Sequence, residues 1–392
     1  MHPLLEQATA FADELVALRR DLHRHPELSF CEHRTAATVA AILTELGWRV
    51  RTGIGKTGVI ADLGEAGPIV ALRADMDALP IQEASQVEYA STVPGVMHAC
   101  GHDAHVAMLV GAARLLAQRA ASGQLPGRVR LLFQPSEEAA DEENKSGAIR
   151  MIEDGALQDV AAIFGLHIGA HLPAGRAYVR GGSYMAGSDT FIATVQGRSA
   201  HAARPHEGID AVVLAAHVVL ACQNGVARRL KPGHSGVLTI GKIEGGVAEN
   251  VIADAVKLHG TIRYFEQPVR NTLRHALDDA LNVAGALGGG ALLEMNEGYP
   301  PVVNDVAMSE LAAAAVEQVG GTEALAEYDP LMAAEDFAYF LEKVPGSFFW
   351  LGAALEPARE HHHPNFDIDE RVLPLGAAIL ANCALAALVR TR

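Results

Sequence analysis

Apolar residues recur three and four positions apart over residues 4–24 and again over 33–46, which predicts two opening helices. Short β-branched and aliphatic runs follow at Gly58–Leu63 and Ile69–Arg73 and predict strands. Helical spacing returns over residues 104–119, with Asp103 placed as the N-cap. Val129–Gln134 then predicts a buried strand, residues 147–154 a helix and 161–167 another strand. Strands alternating with helices, with acids and histidines at the strand ends, define an open α/β sheet. In such sheets ligands collect at the carboxyl ends of the strands.

The rhythm changes near Tyr184. Residues 188–196 and 236–243 alternate apolar and polar, 251–265 predict a long strand and 291–296 a short one. Helical patterns at 209–227 and 268–287 lie between them. This strand–helix–strand–strand–helix–strand order suits a four-stranded sheet with two helices on one face. After Pro300-Pro301 the earlier pattern resumes, with a strand at Ser347–Gly352 and an apolar helix over 374–389. The expected fold class is therefore α/β: a mixed α/β sheet domain with helices on both faces, formed by residues 1–183 and 299–392. An α+β domain, residues 184–298, is inserted into it. No internal repeat or low-complexity segment appears.

Composition narrows the function classes. With 392 residues, 49% hydrophobic and 20% charged, the chain can bury a sizeable interior. A net charge of −16 opposes a nucleic-acid or anionic-membrane partner. The amphipathic, acid-bearing N-terminus lacks the build of a secretory signal, and no stretch approaches ~18 uninterrupted apolar residues. Four cysteines, Cys31, Cys100, Cys222 and Cys383, stand far apart without paired spacing, which predicts a reduced, cytoplasmic setting.

The chemistry concentrates in a few blocks. Met97–His105 holds Cys100 and the histidines His98, His102 and His105, several soft or borderline metal ligands on one short segment. Gly101 permits a tight backbone in which the Cys100 thiolate and the His102 imidazole converge. His98 and His105 are secondary candidates, His105 falling inside the helix. Asp75 and Asp77 end a hydrophobic strand, where acids ligate a metal or hold a ligating imidazole; an N-cap role is the plain alternative. Glu137 and Glu138 follow an apolar strand. Two adjacent carboxylates face differently, so one can bind metal while the other takes a proton from water. His167 ends another strand, and His361, His362 and His363 precede Pro364. Each histidine alone reads as packing; together with Cys100 and the acids they read as a metal centre. In the inserted domain His201 and Asn250 sit in small-residue loops suited to a ligand or simply to a turn. His23 and His25 read as packing or capping around Pro26.

These blocks, in this order, resemble the M20 metallopeptidase family in its aminoacylase, hippurate-hydrolase and auxin-conjugate-hydrolase branch. The blocks are LRRDLHRHPELSF, ALRADMDALPIQE, MHACGHDAHVAMLVGAA, LLFQPSEE, GLH, GRSAHAARP, GGVAENVI, AAEDFAYF and HHPNFDIDE, and they span nearly the whole chain. The resemblance implies two divalent ions, zinc or manganese with cobalt or nickel as substitutes, held by Cys100, His102, Glu138, His167 and His362. His362 is chosen over its neighbours because the family's histidine stands two before the proline. Glu137 would be the general base and Asp77 would orient the site. The smaller domain would be a dimerisation and lid domain, in which the counterpart of His201 reaches the neighbouring subunit's site to stabilise the oxyanion. Asn250 would hold the substrate carboxylate, and Glu335-Asp336 would support the site. Two stretches depart from the branch. Ala139–Ser146 is longer and more acidic than the usual glycine-rich loop and could add a ligand or reshape the acyl pocket. Ile168-Gly169-Ala170 stands where a bulky aromatic is usual.

The expected activity is hydrolysis of a small N-acyl amino acid to a carboxylic acid and a free amino acid by a homodimer. Rivals are another amide on the same centre, such as a dipeptide or N-acetyl-diaminopimelate, and a silent, metal-stabilised binding protein.

Overall fold

A computed structural model describes residues 2–390, which divide into two compact units. Of these residues, the first unit comprises those up to Gly182 together with Val303–Asp329 and those from Asp336 onward, and the second Ser183–Val302 with Pro330–Glu335.

The first unit is built on an eight-stranded mixed sheet. Its strands, in chain order, are β1 (Arg49–Ile54), β2 (Gly58–Leu63), β3 (Ile69–Asp75), β4 (Arg128–Gln134), β5 (Val160–Gly169), β6 (Ala177–Tyr178), β7 (Leu325–Ala326) and β8 (Gly346–Gly352). Across the sheet they run β1-β2-β4-β3-β5-β8-β6-β7. The central strands β4, β3, β5 and β8 are mutually parallel. All seven residues of β3 are buried, because a parallel sheet is covered by helices on both faces and leaves its strands no polar side. β1 escapes a hydrophobicity reading for the opposite reason: Arg49-Val-Arg-Thr-Gly-Ile54 is an edge strand with no buried position, antiparallel to β2.

The opening helix is broken in two, Pro3–Thr9 and Ala12–Arg24, where Phe11 leaves the helical backbone and is buried. Helix His102–Ala121 is buried nearly all round. It packs on the C-terminal helix Leu373–Arg390 through Gly111, where a Cβ would lie 2.7 Å from the Ala377 Cβ. Among the described residues, two helices are long and apolar enough to cross a membrane by length and composition, Glu370–Arg390 and Ala211–Arg229, although neither is an uninterrupted apolar run. The first has 78% of its apolar window buried and forms the centre of the core.

The second unit is a four-stranded antiparallel sheet, in spatial order Gly290–Glu297, Gly187–Gln196, Ala255–Tyr264 and Gly236–Gly245. Helices Ala211–Arg229 and Gln267–Ala286 pack together on one face, over a core that includes Phe191, Val195, Leu258 and Leu277. The alternation of buried and open positions along Gly187–Gln196 reflects that one-sided cover. The buried Asp189 on that face is neutralised by Arg270 at 2.7 and 2.8 Å.

Candidate metal centre

Strands β4, β3 and β5 are adjacent and parallel, so their carboxyl ends emerge at one edge. β3 ends at Asp75 with Asp77 two residues on, β4 leads into Glu137 and Glu138, and β5 carries His167. Cys100 and His102 stand at the head of helix His102–Ala121, and His362 follows β8.

Gly101 makes the Cys100–His102 turn possible. It sits at φ +90°, and a Cβ there would lie 2.3 Å from Ile168 Cγ2, so both its left-handed backbone and its missing side chain are required. The helix begins at His102 with Gly101 as N-cap, two residues earlier than the expected start with Asp103 as cap. Asp103 is drawn away instead by the buried Arg19 at 2.8 Å and by His23 Nδ1 at 2.7 Å.

Backbone groups fix the tautomers of several histidines. His167 Nδ1 donates to the Ile168 carbonyl at 2.8 Å, so Nε2 presents its lone pair 3.5 Å from Cys100 Sγ. His105 Nε2 accepts from the Ile168 N–H at 2.8 Å, so its Nδ1 donates to Asp75 at 2.5 Å and no lone pair remains for a metal. His361 Nε2 accepts from the Ala170 N–H at 3.0 Å, and His363 Nδ1 from the Asn365 N–H at 3.1 Å. Of the three consecutive histidines, His362 is the one that meets an acid of the site, its Nε2 lying 3.2 Å from Glu138 Oε1.

His102 is held through Nδ1 by Asp77 at 3.2 Å, while its buried Nε2 has no hydrogen-bond partner among the described residues. Around Nε2 stand Asp75 Oδ2 at 3.7 Å and Glu138 Oε1 at 3.9 Å. Burial opposes a charge on His102, but Asp75, Asp77 and Glu138 outweigh it and push the imidazole up to about 10. Burial, Glu138 and Glu137 drive the Cys100 thiol well above its ordinary range. A thiolate here therefore requires a cation.

The potential ligand atoms of Cys100, His102 and His167 all lie within 4.8 Å of one another, as do those of Cys100, Glu138 and His362, and of His102, Glu137 and Glu138. Cys100 is common to the first two groups. A buried imidazole nitrogen left without a partner, a thiol and a ring of acids fit divalent cations of the zinc or manganese kind.

Asp77 does more than hold His102. Its two oxygens accept the N–H groups of Glu137 at 3.1 Å and Glu138 at 3.0 Å, and Ser29 donates to it at 2.7 Å. One carboxylate thus orders an imidazole and the glutamate pair together. Glu137 Oε1 accepts from the Asp336 N–H at 3.4 Å, and Asp336 is itself held by Arg73 at 3.0 Å and Gln134 at 2.8 Å. Asp75 is occupied by Arg73 at 2.6 Å and by His105.

Sequence reasoning missed Ser29, Arg73 and Gln134 among these supports, and Glu32 besides them. Arg73 had a visible signal, a charge inside a buried strand. Glu32 had none, since it meets its partners only in the fold. Its Oε1 accepts from the N–H groups of Phe30 at 2.9 Å and Ser136 at 2.8 Å, both residues with positive φ. Burial, with the charge of Asp77, pushes Glu32 up to about 7.

The acidic loop 139–146 does not extend the ligand groups of the described residues. Asp141 folds onto Lys56 and Arg150, both at 2.6 Å. His98 is buried with both ring nitrogens unpartnered among the described residues, and burial lowers it to about 4. His25 donates to the Asp21 carbonyl at 2.8 Å. In the second unit the exposed His201 bridges to Val251, and Ala202 N–H donates to the Asn250 carbonyl at 3.0 Å, so these two candidates share one edge. Glu335 falls in that second unit.

An α/β sheet edge bearing a shared cysteine, imidazoles and paired glutamates defines a metal-dependent hydrolase. Residues 71–386 match Peptidase family M20/M25/M40, and the chain belongs to that family. It is 42% identical over 367 residues to N-acetyl-L-cysteine deacetylase of Bacillus subtilis, covering 92% of this chain and 85% of that one. It is 41% identical over 383 residues to IAA-amino acid hydrolase ILR1-like 2 of Arabidopsis thaliana, covering 95% and 85%. Among solved structures, the Bacillus subtilis YXEP protein, a dinuclear metal binding peptidase from the M20 family, superposes with a TM-score of 0.85 at 36% identity, over 97% of this chain and 99% of that one. The chain is accordingly a metal-binding amidohydrolase of the M20 family.

Proposed function

We propose that this enzyme hydrolyses N-acyl amino acids to a carboxylic acid and a free amino acid. Two divalent ions, zinc or manganese, would be held by Cys100, His102 and His167 on one side and by Cys100, Glu138 and His362 on the other. When bound, such ions supply Lewis-acid polarisation and make water a stronger acid.

The chain's own residues do the rest. Glu137 takes a proton from the attacking water and passes it to the departing amine. Asp77 keeps Glu137 and His102 in register. His201 stabilises charge developing on the amide oxygen, and Asn250 donates to the substrate carboxylate. The second unit serves as a dimerisation and lid domain. Its helix Ala211–Arg229 leaves Val212, Val213 and Leu220 about half to two-thirds exposed, an apolar face suited to a second copy. A cytoplasmic homodimer without nucleic-acid or membrane partners is the setting that follows.

The observation carrying this reading is Glu137, whose backbone Asp77 fixes beside the Glu138 ligand position and whose carboxylate accepts from the Asp336 N–H. The relatives named for N-acetyl-cysteine and auxin–amino acid conjugates support an N-acyl substrate. Glu137→Gln should retain its ions and lose about 10²–10⁴ in kcat. Turnover of hippurate, N-acetyl amino acids and indole-acetyl conjugates with zinc, manganese or cobalt, with ion content measured alongside, checks both points. Near-normal turnover by the variant would remove Glu137 from the role of base.

A further inference from the structure

The N-terminal block Leu18–Phe30 enters the site above only through Ser29, yet its Arg19 touches two of the segments that bring ligands to the site, the Cys100–His102 turn and the His362 segment. Arg19 is fully buried in helix Ala12–Arg24. Its guanidinium meets three carboxylates: Asp103 at 2.8 Å, Asp367 at 3.2 Å and Glu370 at 3.3 Å. Asp103 directly follows His102. Asp367 and Glu370 belong to the segment that carries His362. Tyr89 steadies Asp367 through its hydroxyl at 3.0 Å, and Arg359 does so at 3.2 Å.

The ligand segments differ in how they are otherwise secured. His167 lies within β5, which pairs with β3 on one side and β8 on the other. His102 is pinned by Asp77. His362 has no such frame: it sits on a loop, its side chain is 54% exposed and its φ is +57°. Its N–H donates to the Ala99 carbonyl at 2.8 Å, a single bond between the two segments. A fully buried guanidinium set between carboxylates from both is a firmer tie, because separating the segments would leave buried charges unpaired.

We propose that Arg19 is a positioning residue that sets the His362 segment against the Cys100–His102 turn. Through it the chain retains the ion at Cys100, Glu138 and His362, and the ion at Cys100, His102 and His167 depends on it much less. The inference rests on the metal reading given above.

The test uses the full chain loaded with cobalt, measuring ions bound per chain at fixed free cobalt together with the thiolate-to-cobalt absorption. Wild type should hold two ions. Arg19→Met and Asp367→Asn should each lower the affinity for one ion about 10-fold or more, in the range that loss of an outer support costs a metal site. The thiolate absorption should persist, because Cys100 still serves the other ion. Arg19→Lys, which keeps the charge without the guanidinium, should recover the second ion only in part. Asp367→Asn, nearer the surface and leaving the Arg19–Asp103 pair intact, carries the test if Arg19→Met fails to fold. Two ions at wild-type affinity in the folded variants would overturn the proposal, and so would loss of both ions together. A wild-type chain that takes no cobalt would instead sink the metal reading on which it stands.

Discussion

His167 and His362 approach the same cysteine under opposite conditions. His167 is 5% exposed, lies in a strand paired on both sides, has its tautomer fixed by the Ile168 carbonyl and packs 4.4 Å from the Trp350 ring. His362 is on a loop with a strained backbone, and the group steering its ring is Glu138. On the proposed metal reading, the first ligand would be set before any ion arrives, and the second would have to be held in place against its own freedom. Preorganisation of this kind costs nothing at the moment of binding, so the two halves of the centre should differ in affinity although they share Cys100.

Removing the ligands themselves should separate the halves most sharply. His167→Ala should abolish tight binding in its half, an effect larger than the ~10–100-fold that loss of an outer partner brings. His362→Ala should leave one firmly held ion. Titration calorimetry with zinc distinguishes the two, and equal losses in both variants would erase the contrast. Asp77→Asn comes next: with His102 and the glutamate pair both loosened, ion affinity should fall about 10–100-fold, measured by competition with a chelating dye. The smallest effect concerns Glu32, which braces Ser136 ahead of the glutamates. Its carboxyl is raised from 4.5 to about 7 in the fold, so folding favours the protonated form. The stability it contributes is full below pH 4.5 and is lost as pH rises through about 7. Glu32→Gln, a mimic of the protonated acid, should flatten the change in Tm of the metal-free protein between these limits.

The same contrast explains what could be read from sequence. β3 was legible because a strand buried on both faces must be apolar throughout, and Asp75 and Asp77 stood out against that run. The large sheet and the separate four-stranded sheet follow from such periodicities. β1 was not legible, since an edge strand needs no apolar side. Helix His102–Ala121 starts earlier than capping preference suggested because Asp103 is committed to Arg19 and His23, partners some 80 residues away in sequence. Local residue preferences contain nothing about such partners. Likewise the sequence ranks His105 below His102 only by its place inside the helix, and the Ile168 N–H, which uses up the lone pair of His105, supplies the physical reason.

The insertion of the second unit between Gly182 and Val303 has a consequence for how the protein is made. On the ribosome the smaller unit emerges nearly whole and can fold while synthesis continues. The larger one must wait with its sheet incomplete, because β8, His362 and the helix that fills its core all follow the insert in the chain. Any transcript cut short before that point would yield a well-formed insert attached to a hydrophobic half-domain, a natural substrate for chaperones and proteases.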